Sequence, residues 1–150
     1  MQLFAIVASA LTLATTVVAM PAGLETRGTS TVQVTWDSVY DNGSNSLDIV
    51  SCSNGPNGLE TKGFKTFGDL PDFPYIGGAQ AVAGFNSPNC GSCWQLTYKN
   101  TTINVLAIDH AGSGFNIAKA AMDTLTDGQA VQVGVVQATS KEVAPSVCGL

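Results

Sequence analysis

The chain has 150 residues, 45% of them apolar and 11% charged, which is one globular domain with a short appendage and no room for a second domain. Six Lys plus Arg against eleven Asp plus Glu give a net charge of -5, so there is no electrostatic basis for gripping nucleic acid or an anionic membrane surface. A charged fraction this far below the usual quarter leaves a surface of Ser, Thr, Asn, Gln and Gly, suited to neutral polar partners.

From Leu3 to Ala19 the chain is uncharged and apolar, ending in the small residues Val17-Val18-Ala19. This reads as a secretory signal peptide over residues 1–19. A membrane span fits less well, because Ser9, Thr12, Thr15 and Thr16 interrupt the run and Pro21 and Gly23 follow it without a basic flank. Residues 20–28 read as an unstructured leader, trimmed near Arg27, and residues 29–150 as the folded domain.

Val32, Val34 and Trp36 alternate with polar neighbours and predict the first half-buried strand. Asn42-Gly43-Ser44 and Asn100-Thr101-Thr102 are glycosylation sequons, each equally readable as a turn. Residues Ser53 to Gly58 and Gly68 to Gly78 are rich in Gly and Pro and predict loops. Trp94, Leu96 and Tyr98 predict a second alternating strand, joined by a hairpin at Asn100 to a central strand over Ile103–Ile108. Ile117, Ala121 and Leu125 recur at helical spacing and predict a helix over Asn116–Leu125, stopped by Thr126-Asp127-Gly128. Val131, Val133 and Val135 predict a last strand.

In a secreted chain the four cysteines, Cys52, Cys90, Cys93 and Cys148, read as two long-range disulfides. Cys90-Gly-Ser-Cys93 is followed by a strand pattern where a redox motif would open a helix, and no second close pair completes a zinc site. No metal or other cofactor is implied.

The segments Cys52-Ser53-Asn54-Gly55-Pro56-Asn57-Gly58-Leu59, Thr61 to Asp69, Phe85 to Trp94 and Val105 to Ala111, with the terminal Cys148-Gly149-Leu150, resemble the cerato-platanins, small secreted fungal proteins. The likeness runs from about Val32 to Leu150. It implies an all-β fold, a six-stranded double-psi β-barrel with short helices, and pairing of Cys52 with Cys90 and of Cys93 with Cys148. It also implies kinship of fold with expansins, barwin-type domains and one group of endoglucanases. Members of the family elicit plant defence, bind chitin oligomers, self-assemble at interfaces and in some cases loosen cellulose without hydrolysing it. One departure is Asn54, where the family usually has an acidic residue after the Cys-Ser pair.

A glycosidase of the common kind needs two facing carboxyl groups, one of them protonated as general acid. The related endoglucanases and expansins carry that acid in a Phe-Asp motif opening a helix; the local equivalent is Phe115-Asn116-Ile117, whose amide cannot act as the acid. Asp37 mimics the base position, while Asp109 and His110, neighbours on a strand, point to opposite faces and make no dyad. The expectation is therefore a protein without catalytic residues.

Sugar recognition needs planar amides or carboxylates beside a ring. The candidate carbohydrate-binding residues are Asn54, Asn57, Gly58, Phe73, Tyr75, Asn86 and Asp109. Phe73 and Tyr75 lie in a stretch stiffened by Pro71 and Pro74, with Tyr75 expected exposed and Phe73 equally suited to capping the barrel. Asn54, Asn57 and Gly58 equally suit turns that need left-handed backbone, and Trp36 and Trp94 read as core. The function expected is non-catalytic binding of chitin oligomers outside the cell or at the fungal wall, with elicitation through a plant receptor. Expansin-like wall loosening and self-assembly of the monomer at interfaces are the alternatives.

Overall fold

The computed structural model describes residues 28–150; the predicted signal peptide and, apart from Gly28, the leader lie outside the described residues. Six strands, β1 (Ser30–Asp37), β2 (Ile76–Ala79), β3 (Cys93–Tyr98), β4 (Thr101–His110), β5 (Phe115–Ala118) and β6 (Val136–Val143), close into a barrel in the order β1-β5-β2-β4-β3-β6. The β1–β5 and β2–β4 pairs are parallel and the others antiparallel. Two helices, α1 (Lys119–Thr126) and α2 (Ala130–Val133), follow β5.

β4 explains the fold's economy. Ile103, Val105 and Ala107 on one face and Leu106 and Ile108 on the other are all buried, which is why this strand reads as a continuous apolar run. The connection from β1 to β2 covers its end: Cys52 donates its backbone N–H to Ile108 at 3.1 Å, and Leu47, Leu59, Phe67 and Leu70 from the same connection are buried in the core. Short 3₁₀ turns at Ser38–Asp41, Leu47–Ile49, Leu59–Lys62 and Phe67–Asp69 fold this segment. Disulfides join Cys52 to Cys90 and Cys93 to Cys148, so the pairing expected from the resemblance is the one formed. The first staples two loops together; the second ties the C-terminal turn to β3.

Three expectations are corrected. The predicted helix over Asn116–Leu125 begins later, because Asn116 and Ile117 pair with β1 on one side and β2 on the other. Both sets of backbone groups are committed to sheet, and the helix starts where Asp41 accepts the N–H groups of Lys119 at 2.9 Å and Ala120 at 2.8 Å, a cap supplied from a distant turn. Its stop is as expected, at Asp127 in the left-handed conformation (φ 56°) followed by Gly128. The strand predicted over Val131–Val135 is instead α2 and a turn, with Val131 and Val135 exposed. The buried alternation belongs to Val136, Ala138 and Ser140 one step later, on β6. The loop predicted over Gly68–Gly78 ends in a buried strand: a Cβ on Gly77 would meet the Asn116 carbonyl oxygen at 2.4 Å and one on Gly78 that of His110 at 2.8 Å. The glycines that mark a loop in sequence here allow three strands to close up. The hairpin at Lys99-Asn100 is formed, and both sequon asparagines, Asn42 and Asn100, are exposed.

Candidate functional site

Strand register puts Thr35 (β1), Asn116 (β5), Gly78 (β2) and Asp109 (β4) in one row across four neighbouring strands. Thr35 donates its hydroxyl to Asn116 Oδ1 at 3.0 Å. The amide is thus held by a neutral donor and cannot act as a carboxylic acid. Asp37, the candidate base mimic, is exposed, and its carboxylate accepts the Val39 N–H at 2.9 Å as the cap of the first 3₁₀ turn.

Asp109 anchors the end of this row. Its Oδ1 accepts from the Ser51 N–H at 2.9 Å, the Ser51 hydroxyl at 2.7 Å and the His110 N–H at 2.8 Å, and its Oδ2 accepts from the Tyr40 hydroxyl at 3.1 Å. Tyr40 is only 5% exposed. Burial, and after it the charge of Asp109, push its phenol well above the usual range, so it remains a donor. His110 and Asp109 do diverge, since His110 Nδ1 lies 2.6 Å from the Val82 carbonyl oxygen. At that distance Nδ1 carries a proton and donates it to the carbonyl.

Beside this carboxylate the loops after β1 and β2 interlock. The Asn57 N–H donates to Asn86 Oδ1 at 2.9 Å, and Asn57 Nδ2 donates to the Asn86 carbonyl at 3.0 Å. Asn86 also gives its own N–H to Ser51 O at 3.3 Å. Left-handed backbone falls on Gly55 and Asn86, while Asn54, Asn57 and Gly58, the positions expected to need it, are not among the positive-φ residues. Gly58 is buried, and a Cβ there would meet the Asn54 carbonyl oxygen at 2.3 Å, which makes it a packing residue. Asn54 is exposed. Phe85, next to Asn86, is 65% exposed, a ring at the surface of the same loop. It was absent from the candidate residues, although a large apolar residue inside the turn-rich run Gly84-Phe85-Asn86-Ser87-Pro88 has no periodic partner to bury it.

The structure brings Asn57, Asn86 and Asp109 together and places Phe73 and Tyr75 outside their hydrogen-bonded cluster. Phe73 is half-buried against the core beside Gly43, the capping role. Tyr75, expected exposed, is half-buried, its hydroxyl 3.2 Å from that of Thr124. Trp36 and Trp94 both pack against the core. Among the described residues no group of three or more His, Cys, Asp or Glu side chains converges as a metal site would require.

Tyr75 lines a separate cleft of about 260 Å³ with Asp72, Thr102, Ile103, Asn104 and Thr124. Asp72 Oδ2 and Asn104 Oδ1 are shut off there without a hydrogen-bond partner, and burial lifts the Asp72 carboxyl from 3.8 to about 7. A carboxyl that holds its proton more tightly in the fold favours folding fully below its unfolded value and loses that contribution as pH rises through about 7. Discounted for partial exposure, the stability gap in favour of Asp72→Asn is expected to widen by about 1–2 kcal/mol between about pH 4 and pH 8. Urea denaturation at both pH values reads it; a gap that does not change with pH would mean that Asp72 titrates as in the unfolded chain.

A six-stranded barrel with this topology, stapled by two disulfides and presenting a polar face at one end of β4, is of the double-psi type. An expansin from Clavibacter michiganensis shares that fold (TM-score 0.54, 16% identity, 78% of this chain and 51% of the expansin covered). The cerato-platanin family model matches residues 32–150, and this chain belongs to the cerato-platanin family. It is 50% identical over 121 residues to the heat-stable 19 kDa antigen of Coccidioides immitis, covering 81% of this chain and 83% of the antigen. The crystal structure of cerato-platanin 2 from M. perniciosa superimposes with a TM-score of 0.78 at 50% identity, over 81% of this chain and all (100%) of that one. The solution structure of the fungal elicitor cerato-platanin does so with a TM-score of 0.71 at 33% identity, over 78% of this chain and 96% of that one.

Proposed function

We propose that this is a secreted, non-catalytic protein that binds N-acetylglucosamine oligomers of chitin outside the cell or at the fungal wall and is perceived by plants as a defence elicitor. The observation that carries the binding is the juxtaposition of exposed Phe85 with the interlocked Asn57–Asn86 pair and the Asp109 anchor. A ring offers its face to the C–H side of a pyranose, and amides held by their own hydrogen bonds meet its hydroxyls and acetamido groups without ordering cost. Binding without cleavage is supported by Asn116 at the acid position and by Asp109, whose oxygens already accept four internal hydrogen bonds. Elicitation rests on family membership, since one relative is itself described as a fungal elicitor.

Titration of the labelled protein with chitin oligomers is expected to move the amide signals of Asn57, Asn86 and Asp109. Phe85→Ala, at an exposed site with little to lose in folding, is expected to weaken binding by about 10-fold, the effect of one stacking ring. Unmoved signals at saturating oligomer would overturn the reading. Loosening of cellulose by the intact protein in place of chitin binding would favour the expansin-like alternative, whose support is the row of Thr35, Asn116, Gly78 and Asp109 across the sheet.

A further inference from the structure

The sequon Asn100-Thr101-Thr102 takes no part in the face described above, and its setting differs from that of the sequon at Asn42. Asn42 is tied into its own turn: its Nδ2 donates to Asn45 Oδ1 at 3.0 Å and its Oδ1 accepts the Ser44 N–H at 3.1 Å. Asn100 is exposed at the tip of the β3–β4 hairpin, beside Lys99 in the left-handed conformation (φ 51°), and its side chain has no hydrogen-bond partner among the described residues. A substituent on its Nδ2 therefore displaces nothing. The hairpin also brings up a ring, because Tyr98 pairs with Thr101 across the turn. Between this turn and the end of α1 lies a cleft of about 160 Å³, lined by Tyr98, Thr101, Leu125, Asp127 and Gln129. Both chain neighbours of Asn100, Lys99 and Thr101, line it, which puts it within reach of a group tethered to Asn100.

We propose that Asn100 carries an N-linked oligosaccharide whose first sugar unit lies in this cleft against Tyr98, an inference that rests on the secretion proposed above. The oligosaccharide comes from a lipid pyrophosphate carrier. The bond from its first sugar carbon to the phosphate oxygen breaks, a bond from that carbon to Asn100 Nδ2 forms, Nδ2 gives up one proton and the lipid pyrophosphate leaves. The acceptor is an Asn followed two positions later by Ser or Thr, here Thr102. In the folded chain the Thr102 hydroxyl lies 2.8 Å from that of Thr97, so the sequon is read before this hairpin closes. Chain order allows it. β3 is held between β4 and β6, and Cys93 is bonded to Cys148; β6 and Cys148 are both synthesised after Asn100. Until they arrive, β3 and β4 are an isolated two-stranded hairpin, marginally stable in water. Once the fold is complete, the tether holds the sugar at high effective concentration beside the cleft, so contacts too weak to retain a free sugar suffice. The Tyr98 ring meets its C–H face, and Asp127 and Gln129 meet its hydroxyls. Lys99, whose ammonium lies 5.1 Å over that ring, is exposed and free to turn towards the sugar. The glycan leaves the Phe85 face open, because Asp109 stands eight residues beyond Thr101 on β4, about 26 Å along the strand.

The test expresses the full chain in a secreting fungal host, with Ser44→Ala to silence the other sequon while keeping the backbone N–H that Asn42 accepts. Peptide N-glycosidase treatment in heavy-oxygen water, followed by peptide mass spectrometry, is expected to convert Asn100 to labelled Asp in most molecules. Thr102→Ser is expected to keep the modification and Thr102→Ala to lose it, although both retain Asn100. Thermal unfolding reads the place of the first sugar. Trimming the glycan to that unit is expected to leave the midpoint unchanged, and complete removal to lower it by about 4 °C, the scale of one aromatic contact in a domain of this size. In Tyr98→Ala that drop is expected to vanish; a drop that persists there overturns the placement against the ring. Secreted protein freed of residues 1–19 but unmodified at Asn100 overturns the proposal and leaves secretion standing, whereas protein retained in the cell with those residues attached removes both.

Discussion

Replacing Cys52 and Cys90 together by Ser is expected to lower stability by about 4 kcal/mol and to abolish oligomer binding, while the equivalent pair at Cys93 and Cys148 costs about as much stability and spares binding. The stability figure follows from the sequence separations, 38 and 55 residues, which give nearly equal loop-closure entropies because the dependence on length is logarithmic. The difference in binding follows from place. Cys52 follows Ser51, the donor to Asp109, and its partner Cys90 closes the loop that carries Phe85 and Asn86. Without that bond two loops held by a few single hydrogen bonds must be ordered by the ligand, and each ordered residue costs about 1–2 kcal/mol. Cys148 anchors only the C-terminal turn to β3. Guanidinium unfolding gives the first quantity, and calorimetric titration with a chitin oligomer, at a temperature where both variants are folded, gives the second. Equal loss of binding in the two variants would show that the staple at Cys52 has no local role.

Asp109→Ala is expected to cost about 3–5 kcal/mol, far more than removal of an ordinary surface carboxylate, because it strips acceptors from the Ser51 N–H, the Ser51 hydroxyl, the His110 N–H and the Tyr40 hydroxyl at once. Asp109→Asn should cost only about 1–2 kcal/mol. Its remaining oxygen can keep the three donors at Oδ1, and the Tyr40 hydroxyl, free to rotate, can accept from the new amide. Tyr40 reports the change independently. Burial is the larger cause of its raised phenol pKa and the Asp109 charge the next, so in Asp109→Asn its ionisation moves down only part of the way towards the ordinary value. Alkaline titration by ultraviolet absorbance measures this, and an unmoved Tyr40 would mean that the carboxylate is not paired with it in solution. Neither variant is expected to change the barrel topology, which the strand ladders hold without Asp109.

The place of a side chain was legible in the sequence where its residue type has one economical use and not where it has two. Asp109 at the end of a central strand is a strong acceptor at the edge of a core, and the structure gives it four donors. Asn57 and Asn86 bond to each other, 29 positions apart; their amides say only that they want partners. Tyr75 and Phe73 lie in a stiff, ring-bearing stretch, yet the cis Phe73-Pro74 peptide and the buried strand that follows carry both rings to places that no local pattern specifies. Phe85 gave no periodic signal at all.

What the sequence determined by itself was local or combinatorial. Alternation marked β1 and β3, a continuous apolar run marked the buried β4, the Asp127-Gly128 pair stopped α1, and the family resemblance paired the cysteines. The tertiary structure alone decided where β5 ends and α1 begins, because Asn116 and Ile117 have helical spacing but neighbours on both sides, and a strand that can bond twice outweighs a helix not yet capped. It alone turned Gly77 and Gly78 from loop residues into the close contact between strands, and set Thr35, Asn116, Gly78 and Asp109 in a row. Register between strands distant in sequence is fixed by the whole barrel closing, a constraint that acts on pairs of segments and leaves no mark within either one.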